Sequence, residues 1–408
     1  MSEITTLAKI CDALSDGLHK APIFNPNGQY LFVNATNLEN GHIVDKGEGK
    51  RADFSEFQKY GIELNDRTIL YSIDGTIGNI ARYRGEKVIL GKGACYLKVK
   101  ECVDPDFIYF LLQSEAFNGY IRKMSTGSTI HHISLETMRN FKFSLPDYDA
   151  QKRISSVLIA LENKIHHNTR LITELESMVK TIYDYWFTQF DFPNEEGKPY
   201  HSSGGKMVWD NQLKREIPKG WDVGNLYAIA DPINGLACQK HRPKENEKAL
   251  PVVKIKEMHE GITGETELVS VNIPEKHKIF DGDILFSWSA TLEVMYWFGG
   301  DAGLNQHIFK VVPINGYSKE YVYHQFSSYV INFVKMAEAR KTTMGHITTD
   351  HLEQSRIVLP PSEIVQAFSE IVAPIHEKIG QCQKENRKLI KLRDWLLPML
   401  MNGQATVE

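Results

Sequence analysis

Pro146-Asp147 followed by Glu162-Asn-Lys164 formally matches the loose spacing by which metal-dependent nucleases set two carboxylates on a cation and a lysine beside the attacking water. That chemistry needs the second acid and the lysine side by side on a strand, whereas here they fall inside a helical period. Other catalytic signatures are missing: there is no GxxxxGK[ST] phosphate loop, no HExxH and no GxSxG. Asn25-Pro-Asn-Gly28 reads as a turn, not as the Asn/Asp-Pro-Pro-aromatic tetrapeptide of an amino-methyltransferase acting on a flipped base. Cys11, Cys95, Cys102, Cys238 and Cys382 have no CxxC spacing, which disfavours a zinc site or a disulfide framework and points to reduced, mostly buried thiols.

The remaining polar chemistry lies in loops that occur in pairs. Ile73-Asp-Gly-Thr-Ile-Gly-Asn79 and Trp288-Ser-Ala-Thr-Leu-Glu293 each follow a turn-then-strand pattern, Leu64 to Ser72 and Ile279 to Ser287. They fit ligand-approaching loops and tight hairpins equally. Ser125 to Ser134 and Ala339 to Thr348 form the second pair, each leading through a short helix into a strand ending in Leu-Pro. Ser134 and Thr348 fit helix N-caps, with Glu136 and Asp350 favouring the positive helix end, and hydroxyls beside a helix start suit phosphate. His132 and His346 in these loops fit satisfied core histidines as well.

One element must position both sets. From Gln151 to Phe187, seam residues fall at Ile154, Leu158, Leu161, Ile165, Asn168, Ile172, Leu175, Val179 and Ile182, in alternating steps of four and three. Sustained over about four heptads, this is the period of a left-handed coiled coil and calls for a partner helix. A shift of about 214 residues lays Phe368, Val372, Ile375, Ile379, Cys382, Asn386, Leu389 and Leu396 onto the same stripe, so the chain is a tandem duplication. The natural partner of the first long helix is the second, antiparallel if the copies are related like halves of a two-fold dimer. Pro374 predicts a kink or restart in the second helix, and Arg393 occupies a core-type position there.

The spacing therefore predicts an α+β chain: two repeated α/β domains separated by an antiparallel pair of long coiled-coil helices, with pseudo-two-fold symmetry. The domains are expected at 1–148 and 216–361, the helices at 149–190 and 362–408, and a Gly-, Pro- and Ser-rich linker at 191–215. With 408 residues there is room for two cores, and a formal net charge of -4 excludes blanket electrostatic coating of nucleic acid. No apolar run approaches the ~20 residues of a membrane span, and Met1-Ser-Glu-Ile-Thr has no basic region before an apolar stretch, so a cytoplasmic protein is expected.

Tyr183-Asp-Tyr-Trp-Phe-Thr-Gln-Phe-Asp-Phe-Pro193, Gly197-Lys-Pro-Tyr200, Ser203-Gly-Gly-Lys-Met-Val-Trp209 and Glu216-Ile-Pro-Lys-Gly-Trp221 resemble the specificity subunit of type I restriction-modification systems. The likeness extends over essentially the whole chain, departing at Ala290 to Glu293, where a Gly-rich loop is common, and at Pro374. It implies two target recognition domains, each reading one half of an asymmetric, bipartite site on double-stranded DNA, with the paired helices setting the spacing. It also implies docking of two modification (adenine methyltransferase) subunits and of restriction (translocase/nuclease) subunits. S-adenosylmethionine, ATP and Mg2+ would sit on those partners, with no cofactor, metal or catalytic residue on this chain and no membrane contact. The expected DNA contacts are Lys46, Lys50, Arg51, Thr76, Asn79, Arg82, Arg84, Ser128 and Thr129 in the first domain. In the second they are Lys240, Arg242, Lys244, Ser289, Thr291, Arg340, Lys341 and Thr343. Arg, Lys and Asn can address base edges, while hydroxyls and Lys suit phosphates. The expected spacer and docking residues are Ile154, Leu158, Leu161, Ile165, Ile172, Leu175, Tyr183, Trp186, Phe187, Ile375, Ile379, Leu389 and Trp395.

Overall fold

A computed structural model describes residues 3–47, 50–124, 132–289, 291–339, 349–405 and 407. The chain forms two compact units, Met1–Ile165 with Lys388–Glu408, and His166–Arg387.

In the first unit the main sheet is antiparallel, in the order Cys11–Asp16, Ala94–Val99, Thr68–Ser72, Ile80–Arg82. Thr68–Ser72 is buried at every position, so its sequence shows a continuous β-rich run instead of alternation. The aromatic helix Pro105–Leu111 begins with proline in its first turn, and the Asp104 carboxylate accepts from the Phe107 amide at 3.2 Å. Proline loses nothing there, because its missing N–H would have no intrahelical partner. A smaller sheet joins Arg51–Ala52, Tyr30–Val33 and Val88–Leu90, the last two parallel. Glu3–Thr6 pairs with Lys142–Leu145, closing the domain before the chain enters the first long helix.

The second unit repeats this plan. Its main sheet runs Ala230–Asn234, Ile308–Pro313, Ile284–Ser287, Glu293–Tyr296. A smaller sheet again contains one parallel pair, Val252 opposite Gly303, and Asp222–Gly224 closes on Ile357–Leu359. Register is kept as well: Ile69 faces Arg82 in the first unit where Ile284 faces Tyr296 in the second.

The long helices are Tyr148–Tyr183, 36 residues, and Ser362–Met401, 40 residues. Within the second unit their segments are antiparallel. Asn168 Nδ2 donates to Glu385 Oε2 at 2.8 Å and Asn386 Oδ1 at 3.0 Å, while Tyr183 packs on Phe368 with ring centroids 6.1 Å apart. Within the first unit Ile154 and Leu158 share a core with Leu400, and Arg153 donates to the Val407 carbonyl at 3.0 Å. Asn168, fully buried on the seam, is the kind of polar residue that fixes coiled-coil register at a cost in stability.

Two expectations need correction. The second helix is one element through Pro374, so the expected restart there does not occur. Proline removes one helical hydrogen bond, but Pro374 faces solvent, where water can satisfy the freed Glu370 carbonyl, and buried Phe368, Val372 and Ile379 hold the turns on either side. The 191–215 stretch is no loose tether. Phe190 and Phe192 pack on Trp221 at 5.5 and 5.0 Å, Met207–Asp210 pairs with Arg215–Pro218, and Asp191 accepts from the Ser202 amide and hydroxyl at 2.7 and 2.6 Å. The glycines that read as linker form turns at positive φ, as at Gly197 and Gly204.

Candidate nucleic-acid interface

The nuclease-like carboxylates hold structure together. Asp147 Oδ1 accepts from the Ala150 amide at 2.9 Å, capping the first long helix. Glu162 accepts from Tyr109 Oη at 3.2 Å and from Arg82 Nη2 at 3.1 Å. Among the described residues no group of three or more His, Cys, Asp or Glu side chains could hold a metal ion.

In the first unit Lys46 and Lys50, both exposed, line one shallow cleft with Asn34, Thr36, Asn37 and Asp45. Lys46 Nζ lies 3.5 Å from Glu39. Arg51 contacts Asp45 at 2.7 Å and donates to the Gly28 carbonyl at 3.2 Å; the Arg51 hydrogen bond holds the Asp45 carboxyl below its ordinary value. Thr76 and Arg84 are exposed, Arg84 Nη1 standing 3.3 Å from His42 Nδ1. His132 is exposed too, 3.9 Å from Asp74, and is no core histidine.

Asn79 and Arg82 are drawn inward. Asn79 Nδ2 donates to the Ala35 carbonyl at 2.9 Å. Arg82 sits over the Tyr109 ring at 3.6 Å and between Asp106 and Glu162, at 2.6 and 3.1 Å. Burial pushes the Glu162 carboxyl up, while the Arg82 charge opposes that shift. A guanidinium held by two carboxylates and an aromatic face is a structural joint, so Arg82 is corrected from a DNA contact to part of the domain frame. Ser128 and Thr129 lie outside the described residues.

In the second unit Lys240, at the end of the short helix Cys238–Lys240, and Arg242 and Lys244 in the chain after it are exposed. Thr291 is exposed, but Ser289 is 8% exposed, which corrects its expected role as a direct contact. Arg340, Lys341 and Thr343, with His346 and the Thr348 cap, lie outside the described residues. The Ser134 cap is present, its hydroxyl accepting from the Thr137 amide at 3.0 Å.

The loops that follow Ser72 and Ser287 share one device. Ser72 Oγ donates to the Thr76 carbonyl at 2.6 Å, and Ser287 Oγ to the Thr291 carbonyl at 2.6 Å. Both serines are buried. Each fixes the loop to the end of its strand, leaving Thr76 and Thr291 outside.

Of the expected spacer residues, Ile154, Leu158 and Ile379 are buried, while Leu161, Ile165, Ile172, Leu175, Ile375 and Leu389 are half-buried. Trp395 is 57% exposed. Tyr183, Trp186 and Phe187 are buried, because the π-helical end of the first long helix, Asp184–Thr188, and the residue before it set their rings against Tyr321 and Phe368; they are core rather than docking surface. Sequence reading singled out the loop at Trp288 but missed Asn234, His277, Gln306 and His307, which meet it in the second unit and are scattered along the chain with no common motif.

This geometry is a duplicated recognition fold with hydroxyl and basic loops and no assembled catalytic centre among the described residues. The model of the type I restriction modification DNA specificity domain matches residues 2–177 and 218–390, and the chain belongs to that family. It is 27% identical over 359 residues to the type I restriction enzyme MjaIX specificity subunit of Methanocaldococcus jannaschii, covering 84% of this chain and 78% of that one. It is 23% identical to the HindI specificity subunit of Haemophilus influenzae, covering 74% and 77%. The crystal structure of the type I restriction-modification S subunit from M. genitalium shares the fold, with a TM-score of 0.61 at 17% identity over 98% of this chain and 96% of the other. The chain is thus a specificity subunit, the DNA-recognition component of a type I restriction-modification system rather than a catalytic subunit. No helix among the described residues is long and apolar enough to cross a membrane.

Proposed function

We propose that each domain reads one half of an asymmetric bipartite DNA site, and that the long helices set the number of unread base pairs between the halves. In this reading 1–148 and 216–361 are the recognition domains, 149–190 and 362–408 the spacer helices, and 191–215 carries the chain from the first spacer to the second domain. The supporting observation is one architecture, with matching register and the same serine latch, carrying loops of different sequence, Ile73-Asp-Gly-Thr-Ile-Gly-Asn79 against Trp288 to Glu293. Equal frames with different readers suit a site whose halves differ.

The half-buried seam residues Leu161, Ile172, Leu175 and Leu389 favour docking of further helices along the spacers, and we assign that place to two modification subunits. These would bring S-adenosylmethionine and methylate adenine; restriction subunits would join with ATP and Mg2+, all in the cytoplasm. Mapping methylated adenines in cells with and without the gene tests this. The expected result is one bipartite motif that vanishes with the gene; a motif that persists, or one without a spacer, overturns it.

A further inference from the structure

Three neighbouring strands of the second unit end or begin at one edge: Ala230–Asn234 ends at Asn234, Ile284–Ser287 runs into Trp288, and Ile308–Pro313 follows His307. Their terminal side chains form a connected group. Trp288 Nε1 donates to Asn234 Oδ1 at 3.3 Å, and His277 Nδ1 stands 3.1 Å from the Asn234 carbonyl. The Trp288 and His307 rings lie 5.5 Å apart, and Gln306 Nε2 is 3.4 Å from His307 Nε2.

The group is neither core nor ion pair. Asn234 and His307 are exposed, Gln306 and Trp288 half-buried, and no member is acidic. Burial and the charges of Lys276 and His241 hold His277 below its ordinary value, so its imidazole is neutral at neutral pH. Polar side chains at exposed strand ends are ordinary, but this group holds two amides against rings: the indole proton orients the Asn234 amide, and Gln306 Nε2 stands against the His307 imidazole. An amide offering one acceptor and one donor in a plane matches the N6 and N7 edge of adenine in the major groove.

We infer that Asn234 and Gln306 are base-reading residues of the second domain, selecting adenine, with Trp288 and His307 as the residues that position them. This rests on the reading that the second domain recognises a half-site. Basic, exposed Lys276, whose charge acts on neighbouring His277, suits a flanking phosphate.

The test uses the full chain co-expressed with its modification subunits, with methylated adenines mapped genome-wide for wild type, Asn234→Asp and Gln306→Glu. Both substitutions keep side-chain shape, and a carboxylate accepts from cytosine N4 where the amide bonded adenine. The expected result is about a tenfold or greater loss of preference for adenine at one position of one half-site in each variant, with the other half-site and the spacer unchanged as the internal sign of correct folding. Two unaltered half-sites in both variants would overturn the inference while leaving the bipartite reading intact. Absence of any bipartite motif in wild type would instead remove the reading beneath it.

Discussion

Arg82 Nη2 meets Glu162 Oε2 at 3.1 Å, so the strand leaving the Ile73–Asn79 loop is tied by charge to the first long helix. In the second unit the same register position is Tyr296, which stacks on Tyr323 at 4.4 Å and stands edge-on to His376 of the second long helix at 4.8 Å. One copy joins domain to helix through ions and the other through rings. Arg82→Ala leaves Asp106 and Glu162 without their cation. It is expected to destabilise the chain by about 2 kcal/mol, below the range for a fully buried pair because both Arg82 and Glu162 keep 15% exposure. Arg84→Ala, at an exposed site, is expected to change stability by under about 0.5 kcal/mol and instead to reduce the salt dependence of DNA binding. Denaturant melts and salt-titrated binding of the two variants separate these outcomes; equal melting of Arg82→Ala and wild type would refute the joint.

The duplication, the long helices and the turn-then-strand units were legible because each rests on local periodicity: the seam from Ile154 to Ile182 repeats at heptad spacing, and Ile69-Leu-Tyr is matched by Ile284-Leu-Phe. The fates of individual polar residues were not. Arg82 and Arg84 look alike in sequence, two residues apart, and only the approach of Glu162 from a helix 80 residues on decides that one is held inside. Aromatic Trp186 and Phe187 read as docking surface until Phe368 and Tyr321 arrive from the second copy. The Asn234, Trp288 and His307 group exists only once three strands align, so no spacing could announce it.

His324 and His376 meet through their Nε2 atoms at 3.3 Å, both buried. Burial lowers His324 to about 3, helped by the His376 and Lys180 charges, and lowers His376 to about 4 against the pull of Glu320. The folded chain therefore holds both neutral, while the unfolded chain protonates them below about pH 6.5. Their contribution to stability is complete above that pH and declines as pH falls toward 4, with a limiting slope of about 1.4 kcal/mol per pH unit for each histidine. Thermal melts from pH 7.5 to 4.5 should show the loss, and His324→Phe should flatten it. An unchanged slope in that variant would assign the acid sensitivity elsewhere.

Trp395 offers the largest exposed ring surface on the second long helix, with Leu392 also exposed. Exposed tryptophan costs solubility unless a partner covers it, and buried tryptophan anchors carry much of the energy of protein interfaces. Trp395→Ala is expected to leave the melting temperature within about 1 °C, since few folded-state contacts are lost. Its affinity for modification subunits should fall about tenfold or more, read by calorimetry or analytical ultracentrifugation of the assembled complex. Full affinity in the variant would move the docking surface off this part of the helix.

The long helices can be lengthened without touching either globular domain. One extra heptad after Ile165 and a matching one before Lys388 keep seam residues on the seam, because seven residues return the stripe to the same face. At about 1.5 Å per residue the insertion lengthens each helix by about 10 Å, close to three steps of duplex at about 3.4 Å each. If the helices set the gap, the methylated motif should keep both half-sites and gain about three unread base pairs, with the half-site phase on the duplex rotated accordingly. A motif with its original gap would mean that the domains find their half-sites independently of helix length. Loss of one half-site would mean that the insertion disturbs a recognition domain, and the unaltered Ser72 and Ser287 latches make that outcome the less expected one.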